Sequence, residues 1–261
     1  RAKVHYQLGI QIPLLFSTFT ASICSPMLLL AADVLSAILV SSGLAITFVT
    51  LGFMWKSRRD AQRLAEREKL GQELGLSLLP KDTLGLGRQL QQFDLFVRER
   101  SSWGRNGRVS NILRGYVDDT EVYLFDYSYV VSTGKSSHRV SQTVFFANDK
   151  NWYLPDFRLK PENWWHKVLK IIGWKDDINF SESPDFSEKF WLTSEFDQLI
   201  RQKFTPALQD FLTERPPVHL EGSNYYLIAY KPGKMLEPDS SRTFFEHCCE
   251  LVRLLKKEGK T

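Results

Sequence analysis

The pattern of apolar and polar positions divides the chain into two parts that meet at Lys56. Between Lys3 and Lys56 the only formally charged residue is Asp33, whereas the rest of the chain mixes charged and apolar residues. The run from Val34 to Trp55 holds 22 uncharged residues. As a helix it would extend roughly 33 Å, close to the ~30 Å hydrocarbon core of a bilayer. The pattern therefore predicts a membrane anchor over residues 1–55, with a transmembrane helix at 34–55.

The preceding segment, residues 8–32, is also uncharged and leaves two kinds of anchor open. Ser25 and Pro26 have the residue types of a helix N-cap followed by proline at the first helical position. A first helix before them would make the anchor a helical hairpin. Alternatively this stretch is signal-like or lies outside the natural protein, in which case Met27 is a plausible start.

Basic residues immediately after the apolar run predict the orientation of the anchor. Since such residues are enriched on the cytoplasmic side of membranes, the large C-terminal part is expected in the cytoplasm. A hairpin would also place Arg1 and Lys3 on that side. The bases that follow the run are Lys56, Arg58, Arg59, Arg63, Arg67 and Lys69.

Beyond the anchor, the pattern predicts a helical spacer over residues 56–74 and one domain over residues 75–261. The spacer carries a narrow apolar stripe among charged residues, and glycine first interrupts it at Gly71 and Gly75. Within the domain, residues 121–131 alternate clearly and predict the central strand of a meander. The first strand is predicted at 108–117 and the returning strand at 139–147. A further hairpin is predicted over 219–230, with its turn at Gly222 and Ser223.

Three segments of the domain have helical spacing instead. They are 163–172, 195–213 with an interruption at Thr205 and Pro206, and a final helix that places Phe244, Cys248 and Leu251 on one face. Strands and helices alternate irregularly, without repeated strand–helix–strand units. The predicted fold class is therefore α+β, with an antiparallel sheet and flanking helices behind an N-terminal transmembrane helix.

The charge balance argues against nucleic-acid binding, and the cysteine content indicates a reducing compartment. From Leu74 onward 26 basic residues face 25 acidic ones, so the domain lacks the basic surplus typical of nucleic-acid binding. The three cysteines, two of them adjacent at Cys248 and Cys249, do not form a disulfide framework and suit a reducing compartment.

No motif predicts a catalytic, cofactor-binding or metal site. Gly134-Lys135-Ser136 is similar to the end of a phosphate loop, but the glycine required five residues earlier is absent and the segment joins two strands. Glu246 to Glu250 includes metal-capable atoms, but no second cluster completes four ligands. We interpret the first as a hairpin tip and Cys248 as a packed core residue.

Asp126 is the one candidate for acid–base chemistry. It lies on a predicted strand, on the face of Val122 and Leu124, and a buried carboxyl group can act as a general acid or base. The alternative is a hydrogen-bonded structural aspartate, which the absence of a nearby nucleophile or histidine favours.

A tryptophan-rich segment, residues 163–175, leaves core packing and membrane contact open. Tryptophan favours the membrane interface, and lysine can extend its ammonium toward anionic headgroups. The residues expected at such a surface are Trp164, Trp165, Lys167, Lys170 and Trp174.

Several short motifs are distributed over residues 93–255, among them 111–115, 124–127, 154–157 and 186–190. In these motifs the domain resembles an uncharacterised family of bacterial, often cyanobacterial, membrane-anchored proteins. It implies a bacterial inner or internal membrane and no particular activity. Together with the lack of catalytic motifs, it leads us to expect a membrane-anchored interaction or scaffold module, with the bilayer and other membrane proteins as partners. A small-ligand-binding domain or an enzyme using Asp126 is the alternative.

Overall fold

The computed structural model of the chain describes residues 17–79, 85–97, 107–132, 136–162 and 177–258, with side chains from residue 37 to residue 256 within those ranges. The chain divides into two compact units, Arg1–Gln62 and Arg63–Thr261. The predicted membrane-contact residues between 163 and 175 lie outside the described residues, as do Gly134 and Lys135.

The described residues of the first unit all belong to one long helix. Helix α1 spans Ser17–Leu74 and passes through Ser25 and Pro26 without a break. From residue 37 to residue 62 its side chains are exposed, among them the large apolar side chains of Phe48 and Phe53. Among the described residues, one helical segment has the length and apolar composition needed to cross a membrane, and this segment is Ala37–Leu74. This supports membrane anchoring, while the number of passes stays a prediction.

Helix α1 ends at Leu74 because Gly75 takes a left-handed conformation, with φ at +68°. The Leu76 N–H donates to the Gly71 carbonyl at 2.7 Å and so satisfies one of the last carbonyl groups of the helix. Gly71 also allows a close approach to the sheet, since a Cβ there would lie 2.9 Å from Leu113 Cδ2. The last turns of α1 are thus an integral part of the second unit.

The second unit is an α+β domain built on one eight-stranded antiparallel sheet. Its strand order is β1-β2-β3-β4-β8-β7-β5-β6, so the C-terminal hairpin lies in the middle of the sheet. The strands are β1 (Ser77–Leu79), β2 (Arg108–Val117), β3 (Thr120–Ser132), β4 (Ser137–Asn148), β5 (Leu154–Pro161), β6 (Phe190–Ser194), β7 (His219–Asn224) and β8 (Tyr226–Tyr230).

Helices pack on both faces of this sheet. The described helices after α1 are α2 (Leu86–Gln89), α3 (Asp94–Val97), α4 (Pro184–Lys189), α5 (Asp197–Lys203), α6 (Pro206–Glu214) and α7 (Pro238–Glu258), with a 3₁₀ turn at Leu90–Gln92. Alternation along β3 separates two cores: Leu124 packs with the residues of α4 to α7, and Phe125 packs with residues of α2, the 3₁₀ turn and α3.

The outer edge of β6 is occupied by the residues just before α4. The Ile178 N–H donates to the Leu192 carbonyl at 2.8 Å, and the Leu192 N–H donates to Asp177 Oδ1 at 3.2 Å. The backbone groups of Leu192 that do not face β5 are therefore satisfied.

The structure confirms the predicted α+β class, with an N-terminal apolar helix and an antiparallel sheet with flanking helices. One detail is wrong: the last hairpin does not turn at Gly222 and Ser223, which pair with Leu227 and Tyr226. The turn lies at Asn224, which adopts a left-handed φ of +54°, a conformation that asparagine tolerates. Glycine is needed at Gly222 for another reason, because a Cβ there would collide with the Phe157 ring.

Candidate functional site

Asp126 is buried beneath α1 and holds a network of hydrogen bonds. Both of its carboxylate oxygens accept from Arg63, at 3.1 Å each, and Oδ1 accepts from Arg67 Nη2 at 2.6 Å. Asn111 Nδ2 donates to Oδ2 at 3.0 Å, and the Thr143 hydroxyl lies 3.4 Å from Oδ1. The side chains of Asp126 and Arg67 are only 3% and 1% exposed.

The electrostatics of this cluster keep Asp126 ionised. Burial by itself raises the pKa of the carboxyl group, but the charge of Arg67, with the hydrogen bonds and charge of Arg63, outweighs burial and holds it below its ordinary value. A carboxylate that is already saturated by donors and has a lowered pKa is poorly suited to accept or deliver a proton at neutral pH. The geometry therefore favours the interpretation of Asp126 as a structural, hydrogen-bonded aspartate.

A second carboxyl group with the opposite electrostatics lies on the other face of the sheet. A cleft of about 610 Å³, here called the sheet cleft, extends from the Gln92–Asp94 segment across β7, β5 and β6. Register brings Glu221, Arg158 and Thr193 into one row across these three strands. These residues share a face because side chains alternate along each strand, with the intervening Leu220, Leu159 and Leu192 buried in the opposite core.

Glu221 forms part of the wall of the sheet cleft and is only 3% exposed. Its Oε2 accepts from the Asp94 backbone N–H at 2.6 Å, and its Oε1 accepts from the Tyr230 hydroxyl at 2.8 Å. Burial raises the pKa of Glu221 above its ordinary value, and the nearby charge of Asp94 adds to this, while the Tyr230 hydrogen bond acts in the other direction.

The charges of the sheet cleft are unbalanced. Four described lining residues are acidic, namely Asp94, Asp156, Glu195 and Glu221, and two are basic, namely Arg158 and Lys160. Arg158 pairs with Asp94 at 2.8 Å. The carboxylates of Asp156 and Glu195 are exposed and have no hydrogen bond or ion pair within the described part of the chain. The cleft therefore presents unneutralised negative charge to solvent.

The cysteine motif near the C-terminus behaves as a packing element. Cys248 and Cys249 are buried on α7, and burial raises the pKa of the Cys248 thiol well above its ordinary value. Glu250 pairs instead with Arg215 at 2.7 Å. Within the described residues no three His, Cys, Asp or Glu side chains come together in a group that could hold a metal ion.

Comparisons with known proteins add one distant structural likeness. No protein-family model matches the chain, and no curated protein matches it. Among solved structures it is similar to the crystal structure of the mycobacterial trehalose monomycolate transport factor A, TtfA. The TM-score is 0.46 at 12% sequence identity, covering 73% of this chain and 94% of that chain. A likeness this distant supports no conclusion about the site.

Sequence reasoning identified Asp126 and missed Glu221. The signal available for Glu221 was a single acidic residue between Leu220 and Gly222 in an apolar strand. Its significance depends on β5 and β6, which no sequence pattern indicated, because these strands form the rest of the cleft.

Proposed function

We propose that this chain is a membrane-anchored binding module whose domain lies in the cytoplasm of a bacterial cell and engages a partner protein through the sheet cleft. The observation that carries the proposal is a pair of carboxylates at the edge of a large cleft, Asp156 and Glu195, which have no partner among the described residues. Unpaired surface charge gives specificity and a faster association rate to a partner of opposite charge. The partner should therefore present a basic segment.

The lining of the cleft agrees with recognition of a protruding segment. Its polar walls offer backbone and side-chain hydrogen-bonding groups beside the partly buried Trp191, a residue type enriched at binding interfaces. Gly222 and Ser223 add little side-chain bulk to its floor.

The proposed orientation depends on the bases that follow the apolar segment of α1. Lys56, Arg58 and Arg59 come directly after Trp55 and favour the cytoplasmic side under the positive-inside rule. A reporter fused at Thr261 tests this part separately, and reporter activity outside the cytoplasm would contradict it.

The binding role is tested by site-specific photo-crosslinking of the full chain in its native membrane. A photoreactive amino acid at Thr193, within the sheet cleft, should give a discrete protein adduct, whereas one at the exposed Glu246 on α7 should not. The adduct should weaken as ionic strength rises, because the attraction is between exposed charges.

Charge reversal identifies the groups responsible. Asp156→Lys combined with Glu195→Lys should abolish the Thr193 adduct. The matched control is Asp210→Lys combined with Glu214→Lys, which reverses two exposed carboxylates outside the cleft and should leave the adduct intact. No adduct from Thr193, or equal loss with both double variants, would refute the proposed role of the cleft.

A further inference from the structure

A second cleft, distinct from the sheet cleft, lies between α6, α7 and the start of β6. This cleft, here called the helix cleft, has a volume of about 310 Å³, at the lower end of the ~300–1,000 Å³ typical of ligand pockets. Its apolar lining is contributed by β6, α6, α7 and the segment before β7, and comprises Phe190, Phe211, Leu212, Val218, Phe244 and Leu251.

The basic lining residues of the helix cleft differ in whether they are neutralised. Arg215 is paired with Glu250 at 2.7 Å, and its guanidinium stacks 3.8 Å from the centre of the Phe211 ring. The side chains of Lys231 and His247, in contrast, make no hydrogen bond or ion pair with any described residue, although both residues are partly buried. The cleft thus combines an apolar interior with two unused donors.

One acidic residue, Asp239, is present among the described lining residues, and it is exposed at the start of α7. Its carboxylate has no described partner, so it is free to remain in water while Lys231 and His247 interact with a ligand. With Arg215 neutralised by Glu250, Lys231 is the cation of the described lining that remains available to an anionic ligand.

We propose that the helix cleft binds an anionic amphiphile with a single apolar chain, of the chemical class of long-chain fatty acids. The chain would lie against Phe190, Phe211 and Phe244, where its removal from water is favourable. The head carboxylate would accept hydrogen bonds from Lys231 and His247. Charge-assisted bonds of this kind are stronger than neutral ones.

Two features distinguish this ligand class from simpler ones. A free inorganic anion would use Lys231 and His247 but gain nothing from the apolar interior. A neutral lipid would gain from the interior but leave the donors unused. An amphiphile of this class is also available where the chain is expected to be located, since α1 contains a segment suited to cross a membrane. The inference does not depend on the partner proposed for the sheet cleft.

The test uses the full chain in phosphatidylcholine nanodiscs and a palmitic acid that carries a photoreactive diazirine. After photolysis and digestion, mass spectrometry should find label on peptides of α6 and α7 that line the cleft, besides any label on the apolar part of α1. The corresponding diazirine-bearing fatty alcohol, which lacks the carboxylate, should label the cleft peptides at least about tenfold less, since tenfold corresponds to ~1.4 kcal/mol and charge-assisted bonds are typically worth ~1.5–3 kcal/mol.

Variants separate the two parts of the site. Lys231→Met combined with His247→Gln should reduce fatty-acid labelling of the cleft to the level of the alcohol. Thr243→Trp, at the exposed rim, should reduce labelling by both probes because the larger side chain fills the entrance. The matched control is Lys234→Met, which removes an exposed lysine three residues from Lys231 and outside the cleft.

Circular dichroism first shows whether each variant retains the wild-type spectrum. For variants that do, the labelling result decides whether the helix cleft binds the fatty acid. Cleft labelling by the acid that depends on Lys231 and His247 but not on Lys234 supports the site. Label confined to α1, equal labelling by acid and alcohol, or no response to the double variant would overturn it. A variant that loses its fold is replaced by Thr243→Trp, whose substituted position is exposed.

Discussion

Arg67 Nη2 donates to Asp126 Oδ1 at 2.6 Å, and through this bond the last turns of α1 are joined to the third strand of the sheet. The two residues are 59 positions apart, and both are almost completely buried. Burial lowers the pKa of Arg67, but the charge of Asp126 counteracts this. Each ion is thus tolerated in the interior because the other is present.

Asp126→Ala should strongly destabilise the domain, because it leaves Arg67 charged and buried without its partner. Removing one member of a buried ion pair typically costs about 3–5 kcal/mol of unfolding free energy. The matched control on the same strand is Glu121→Ala, which breaks a more exposed pair with Arg114 and should cost about 0–1 kcal/mol. Urea unfolding of the full chain in detergent, followed by tryptophan fluorescence, measures both. Equal losses would show that the Asp126 cluster is not a buried ion pair of this kind.

Glu221→Gln should make the domain more stable at neutral pH and less sensitive to pH. Because the pKa of Glu221 is raised in the fold, its contribution is most favourable below the ordinary glutamate value of about 4.3 and is lost as pH rises through the raised value. Glutamine can keep both hydrogen bonds, since its carbonyl accepts from the Asp94 N–H and its amide donates to the Tyr230 oxygen.

The measurement for Glu221 is the melting temperature of the full chain between pH 4 and pH 7. The difference between variant and wild type should grow in favour of the variant as pH rises across this interval. Glu195→Gln serves as the control, since that carboxylate is exposed at the rim of the same cleft. Parallel pH profiles for Glu221→Gln and wild type would argue against a raised pKa at Glu221.

Gly222→Ala should destabilise the sheet by about 1–3 kcal/mol, the usual cost of overpacking a core. The added methyl group would meet the ring of Phe157 on the neighbouring strand, where the two residues are paired. Phe157→Leu in the Gly222→Ala background should recover part of the loss, because the smaller side chain makes room. Ser223→Ala on the same strand is the control. Thermal unfolding with no difference between the two alanine variants would contradict the close contact.

Cys248 and Cys249 should resist alkylation in the folded protein. Burial raises the pKa of Cys249 to about 12 and raises that of Cys248 well above its ordinary value. Since the thiolate is the nucleophile, only about one thiol in 10⁴ at Cys249 would be reactive at pH 8. Iodoacetamide labelling of the two sites, measured by mass spectrometry, should be slow before denaturation and complete after it. Rapid labelling of Cys248 in native protein would mean that the α7 face is open.

The sequence carried enough information to predict β2, β3 and β4, since each strand is long, β3 alternates clearly, and the turn and loop between them contain Asp118, Asp119 and Gly134. The structure places these strands within two residues of the predicted bounds. It also places Asp126 on the predicted face, with Val122 and Leu124. Local alternation determines such features because a strand with a buried face permits one register.

The partners of Asp126 and the clefts could not be predicted in the same way. Arg63 and Arg67 lie in a segment interpreted only as a charged helical spacer, and nothing local indicates that its basic side chains enter the domain. Strand β6 has five residues and β1 has three, too few for alternation to be distinguished from chance. Because the sheet cleft requires β5, β6 and β7 together, it emerges only from the tertiary fold.

The covered edge of β6 has a consequence for chains that share one membrane. Anchored copies are confined to a plane, where their local concentration is high, and exposed strand edges under such crowding tend to add strands from neighbours. At Leu192 both outward backbone groups are already bonded to Asp177 and Ile178, so a second chain would have to displace them first. The short segment before α4 thus protects this edge from self-association and leaves crowded copies free to remain separate.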